Sequence, residues 1–170
     1  MTIRHAEKPA SGTGLAPAGA ARAQAYVSYF QHLNLSGGAF RPDMLIATAD
    51  SRNSARERLT LEPLSKALGI PLDLRFSNKD VGRLVHALKG DQHGKSVLIA
   101  WHHGTLPQII NALGGDPKRL LPDGSRPATV FDWVVVLHFD HSGKLTPNGS
   151  EIIHEDFANP PGRVTSMGLK

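Results

Sequence analysis

The sequence predicts an α/β fold: a three-layer sandwich with a mostly parallel central sheet, helices on both faces and an antiparallel edge hairpin. Three observations lead there. Short apolar runs alternate with helical patterns through the first two thirds of the chain, the signature of strand–helix–strand units. The alternation contains no internal repeat. Beyond it the character changes to one long β-branched and aromatic run closed by a turn. At 170 residues the chain fits one domain, placed at 1–157 with 158–170 as a loose tail.

The elements follow in order. Thr2 and Ile3 supply a strand stub. A helix opens near Pro17, a residue suited to a first helical turn, and runs to about Leu33. Met44–Thr48 is a strand after the Arg41-Pro42-Asp43 turn. Ser54–Leu68 is helical, with Gly69 as C-cap and a kink expected at Pro63. Leu72–Phe76 is a weaker strand, and Lys79–Leu88 a further helix. Ser96–Trp101 is the strongest strand, its apolar core bounded by Gly94. Thr105–Leu113 is a helix stopped by Gly114-Gly115. Thr129–Phe139, the turn Asp140-His141-Ser142-Gly143 and Leu145 make the hairpin, Ile152 and Ile153 a last strand. Asn159-Pro160-Pro161-Gly162 opens the tail.

Composition narrows the function. Hydrophobic residues make up 40% of the chain, ordinary for a globular protein once glycine is added. No apolar stretch approaches the ~18 residues of a membrane helix, and Met1–Lys8 has no signal-peptide pattern. The absence of cysteine excludes disulfide scaffolds, thiol catalysis and cysteine-ligated metals. A cytoplasmic location and no membrane partner are the matching expectations. The net charge of +4 raises nucleic acid as a partner. Yet the basic residues are scattered, with Lys118-Arg119 the one adjacent pair, and no aromatic-interleaved stripe exists. A small anionic substrate explains the excess equally well, so no nucleic-acid partner is expected.

Ligands of open α/β sheets bind beyond the carboxyl ends of the strands. There the chain places Arg4-His5-Ala6-Glu7, then Asp50-Ser51-Arg52 leading to Arg56, then His102-His103-Gly104-Thr105. Taken singly, each is ordinary: a turn histidine, solvated helix arginines, a capping His pair. Together they gather arginines and imidazoles at one edge. The other histidines, His32, His86, His93, His138, His141 and His154, read as helix, loop, strand or turn residues.

These residues resemble the histidine phosphatase superfamily, of phosphoglycerate mutase-like fold. Arg4-His5-Ala6-Glu7 is similar to its Arg-His-Gly/Ala-Glu signature, and Gly14-Leu15-Ala16-Pro17-Ala18-Gly19 with Gln24 to its Gly-Leu-Thr-Xaa-Xaa-Gly stretch. Arg56-Glu57-Arg58-Leu59-Thr60 is similar to its Arg-Xaa-Xaa-Xaa-Thr helix. Val97–Leu106 resembles its strand and Ser-His-Gly-Gly-Thr turn. The motifs keep the family's order and cover about Thr2 to Leu113.

The resemblance implies His5 as a phosphoryl-accepting nucleophile, with Arg4, Arg56 and His102 as the donors around the phosphate. Ser11, Arg52 and His103 are the further binding candidates. Ser11 stands where the family usually has Asn, and His103 competes with His102 for the second histidine role. Asp80 is the nearest candidate for a leaving-group acid, or else a helix cap. Neither cofactor nor metal is implied. The short chain resembles the family's compact phosphatases, including phosphohistidine phosphatases. The expected function is hydrolysis of a phosphate monoester or phosphoramidate through phospho-His5, on a small phosphorylated substrate or a phosphoprotein. Two alternatives stand beside it. One is a non-catalytic phosphate-binding module. The other is a metal-dependent hydrolase in which His138 and His141 join His102 and His103. Loops Pro9–Gly14, Ser36–Pro42 and Gly114–Arg126 would set specificity. Neither substrate nor oligomeric state follows from the sequence.

Overall fold

The computed structural model describes residues 1–35, 38–91 and 94–157. The predicted tail, His93 and part of the Ser36–Pro42 loop lie outside them. A six-stranded sheet forms the middle layer. Its strands in chain order are β1 (Thr2–Arg4), β4 (Met44–Thr48), β5 (Leu72–Phe76), β6 (Val97–Trp101), β7 (Trp133–Phe139) and β8 (Leu145–His154). They lie side by side as β5-β4-β6-β1-β7-β8. The first four are parallel, and β7 pairs antiparallel with both β1 and β8. The remaining pair, β2 (Asn34–Leu35) and β3 (Gly38–Ala39), forms a separate two-stranded sheet absent from the sequence expectation.

Side-chain alternation builds the two outer layers. Leu45, Ala47, Leu98 and Ala100 face one way, into a core with Tyr26, Tyr29 and Phe30 of α1 (Pro17–His32), Leu33 just after it, and Leu61 and Leu64 of α2 (Arg56–Leu68). Ile46, Ile99 and Trp101 face the other way. They meet Leu84 and Val85 of α3 (Val81–Asp91) and Leu106 and Ile109 of α4 (Leu106–Ala112). A short α5 (Pro117–Leu120), capped by Asp116 on the Lys118 amide, precedes a 3-10 turn at Pro122–Gly124. Both elements escaped the sequence reading. No helix among the described residues is long and apolar enough to cross a membrane.

Helix ends follow their local chemistry. Gly69 takes φ +68° and donates its N–H to the Ser65 carbonyl, the left-handed C-cap expected there. Helix α2 continues through Pro63. At the edge, two expectations are corrected. Strand β7 begins at Trp133, not Thr129, because the preceding carbonyls serve arginines: Ala128 and Val130 accept from Arg4, and Phe131 from Arg126. Leu145 and Ile152–Ile153 belong to one strand, β8. Asn148 at φ 56° and a register shift between Leu137 and Phe139 absorb its extra residues as a bulge.

One close approach holds α1 against the segment after β1. A Cβ on Gly19 would lie 2.4 Å from the Glu7 carbonyl oxygen and 2.9 Å from its nitrogen. The Ala16 amide already donates to that carbonyl at 2.8 Å. Gly19→Ala must therefore push the helix away from the chain carrying His5. The expected cost is about 1–3 kcal/mol, read as a melting temperature several degrees lower in a calorimetric scan.

Candidate active site

Sheet order makes the site. Strands β1 and β6 are parallel neighbours, Arg4 lies opposite Trp101, and the His5 amide donates to the Trp101 carbonyl at 3.1 Å. The residues following each strand, His5 and His102, are thus set side by side, with ring centroids 5.9 Å apart and planes at 76°. Helix α2 closes the third side. Its Thr60 hydroxyl accepts from the Ala6 amide at 2.8 Å and donates to the Arg56 carbonyl at 2.7 Å. The Arg-Xaa-Xaa-Xaa-Thr spacing thereby latches the first helical turn to the residue after His5.

His5 is 3% exposed. Its Nδ1 lies 2.7 Å from the Ala6 carbonyl, an acceptor only, so Nδ1 carries the proton and Nε2 keeps a free lone pair. Burial, joined by repulsion from Arg4 and Arg56, lowers its pKa to about 4. Burial likewise lowers His102, against the pull of Glu57. Both rings are neutral at pH 7.

Arg4 is buried beneath the site. It donates to the Ala128 and Val130 carbonyls and lies 3.8 Å over the Phe131 ring, with burial lowering its pKa to about 10. Arg56 reaches across to the Gly12 carbonyl at 3.4 Å. Four sequence candidates therefore converge: Arg4, His5, Arg56 and His102. His103 turns toward the loop instead, its Nδ1 3.3 Å from the Arg126 carbonyl. Ser11 and Arg52 are exposed, and Arg52 sits in the Ser51–Ser54 turn before α2 rather than on its face. Asp80 accepts from the Ser77 amide and pairs with Arg83 at 3.6 Å. The Ser77 bond holds its carboxyl below the usual range, as befits a turn-capping residue. His138 and His141 do not join the pair. β7 runs antiparallel to β1 with Val134 opposite Ile3, so its end points to the opposite rim of the sheet.

Three side chains that the sequence reading gave no role belong to this cluster. Glu57 is 1% exposed, with Oε1 3.1 Å from His102 Nδ1 and 3.8 Å from His5 Nε2, while Oε2 accepts from the Ser54 hydroxyl at 2.8 Å. The available signal was Ser54-Xaa-Xaa-Glu57, a spacing that ordinarily marks a helix cap. Phe131 packs edge-on to His5 at 6.5 Å. Arg126 is buried, donates to the Phe131 and Trp133 carbonyls, and fixes the loop that Arg4 also binds. Glu7 of the signature forms a fork-like pair with Arg22.

Nitrogen-15 NMR of histidine side chains should show His5 as the Nδ1–H tautomer, without titration between pH 8 and 5.5. A midpoint near the ordinary ~6.5 would contradict this burial. Against known proteins, no family model matches the chain, and no curated protein does. Solved structures do. The protein histidine phosphatase SixA complexed with tungstate aligns at 20% identity and TM-score 0.55, over 88% of this chain and 93% of that one. A candidate phosphohistidine phosphatase SixA from Agrobacterium tumefaciens aligns at 22% identity, TM-score 0.45, over 67% and 75% of the two chains. Another from Nakamurella multipartitia aligns at 21%, TM-score 0.44, over 75% and 70%. Order of strands, placement of helices and the first of these alignments agree: the chain has the α/β fold of the protein histidine phosphatase SixA.

Proposed function

We propose that the protein is a phosphatase that transfers a phosphoryl group from a phosphate monoester or phosphoramidate to His5 Nε2 and then to water. One observation carries this reading. The buried His5 ring gives its Nδ1 proton to the Ala6 carbonyl, so a bare Nε2 stands among Arg56, His102 and Glu57. A neutral imidazole with its tautomer fixed is the form that can attack phosphorus.

The steps balance simply. Nε2 donates its lone pair to phosphorus as the bond to the leaving oxygen or nitrogen breaks, and the leaving group departs with that electron pair and takes up a proton from solvent. Water then attacks phosphorus, the P–Nε2 bond breaks, and phosphate leaves with His5 neutral again. Charge on the transferred group falls on its equatorial oxygens, where fixed cationic donors stabilise it most. Arg56 supplies a planar guanidinium suited to two such oxygens. An arriving dianion favours the charged form of His102, whose Nδ1 lies 3.1 Å from the Glu57 carboxylate, leaving the Nε2–H to donate to phosphate. Arg4 acts from behind, as a buried charge beneath the nucleophile. The neighbour that names itself a protein histidine phosphatase makes phosphohistidine on a protein the first substrate to try. A phosphoramidate bond breaks readily once its nitrogen is protonated, so it makes little demand on an acid such as Asp80.

His5→Ala should lower turnover of an aryl phosphate, and of a phosphohistidine protein, at least about a thousandfold, and acid-labile phosphate on the protein should vanish. Retained turnover overturns the reading. Phosphate binding with no turnover in the native chain selects the non-catalytic module instead. Arg56→Ala should weaken vanadate binding by about ten- to a hundredfold, the size of a charge-assisted hydrogen bond. Equal affinity removes Arg56 from the cradle.

A further inference from the structure

We propose that His5, Glu57 and His102 form a binding site for a divalent transition ion such as zinc, and that this ion and a phosphate group exclude one another there. Among the described residues these three are the group whose ligand atoms gather closely enough, all within 4.8 Å of one another. Glu57 Oε1 stands at the apex, 3.1 Å from His102 Nδ1 and 3.8 Å from His5 Nε2. Zinc bonds of about 2.0–2.2 Å place tetrahedral ligands about 3.3 Å apart, so small movements close the triangle. His102, at 27% the most exposed of the three and borne on a turn, is the ring free to make them. Two imidazoles and a carboxylate are donors of the kind zinc selects.

The surroundings are those of a held ligand set. Metal-binding imidazoles ordinarily give their second nitrogen's proton to a carbonyl or carboxylate, and ligating carboxylates are themselves hydrogen-bonded. His5 does the first through Ala6, and Glu57 the second through Ser54. Independently, Glu57 Oε1 is a fully buried acceptor with no hydrogen bond of acceptable geometry, although it is aimed at both imidazoles. A carboxylate so placed is a poor neighbour for phosphate and a good one for a cation. The nearby arginines are partly engaged with carbonyls, Arg4 with Ala128 and Val130 and Arg56 with Gly12. Exclusion follows from one electron pair. The Nε2 lone pair of His5 can bind an ion or phosphorus, and not both at once.

The site stands on geometry alone and does not need the chain to turn over phosphate. Zinc chloride titrated calorimetrically into the full, chelator-treated protein should bind one ion per chain. Glu57→Gln, which can keep the Ser54 bond, and His102→Ala should each weaken zinc by about tenfold or more. Saturating tungstate should weaken it too. Cobalt(II) bound to the unaltered protein should give intense visible bands that tungstate bleaches, a readout that needs no variant to fold. Unchanged zinc affinity in both folded variants overturns the site, placing the ion at a surface pair such as His154 and Asp132. Zinc and tungstate bound together overturn the exclusion, as does turnover that chelation abolishes. Turnover of His5→Ala, by contrast, tests the phosphatase reading alone, whereas the ion site is tested by zinc binding to the unaltered protein and to the Glu57 and His102 variants.

Discussion

The structure depends on burying a histidine whose one polar contact at Nδ1 is the carbonyl of its own neighbour. An imidazole in the interior must be neutral or paired, and His5 is kept neutral by its place at the end of β1, under α2 and against Phe131. That placement has three independent supports. The His5 amide is tied to β6, the Ala6 amide to Thr60 of α2, and the Glu7 backbone presses against Gly19 of α1. Three consecutive residues are thus pinned to three different elements. A side chain held this way needs no reorganisation before it reacts, and preorganisation is the larger part of what a protein can contribute to phosphoryl transfer.

The edge hairpin takes part in the same constraint. Beyond β8, Glu155 accepts from Arg22 and from the Tyr26 hydroxyl, and the same Arg22 forks onto Glu7. Burial pushes the Glu155 carboxyl up to about 7 despite the opposing Tyr26 and Arg22 contacts. The loop before β7 meanwhile feeds its carbonyls to Arg4 and Arg126, both buried and both lowered to about 10 by loss of water. Hydrogen bonds to neutral carbonyls leave the positive charge of Arg4 and Arg126 in place, offset in part by Glu7, Glu57 and Glu155. The resulting field favours an anion in the cleft beside it.

Much of this was legible in the sequence, and the legible part has a physical signature. Runs such as Val97–Trp101 and Met44–Thr48 have few other ways to bury themselves than as inner parallel strands, and their parallel pairing brings Arg4, His5, Arg56 and His102 to one edge of the sheet. Glu57 was illegible because its role depends on helix rotation. One residue after Arg56, it is buried with Thr60, Leu61 and Leu64 on the inner side of α2. Ser11 and Arg52 are exposed, and a position in a motif says which segment is near and not which way a short loop turns its side chains. The start of β7 failed for a tertiary reason: its first carbonyls are claimed by arginines over 120 residues away in one case, Arg4 to Ala128, a competition that no local pattern records.

Glu57 also bears on why one pocket can suit both an anion and a cation. With both imidazoles neutral, its carboxylate is the one negative group facing Nε2, and an ion settling there meets three donors at once. A phosphate dianion meets the same carboxylate as a repulsion, which is relieved when His102 takes a proton and pairs with Glu57 on one side and phosphate on the other. Occupancy by phosphate therefore draws in a proton, whereas occupancy by a metal needs the rings deprotonated. The two occupants differ in charge and in proton demand while competing for one lone pair.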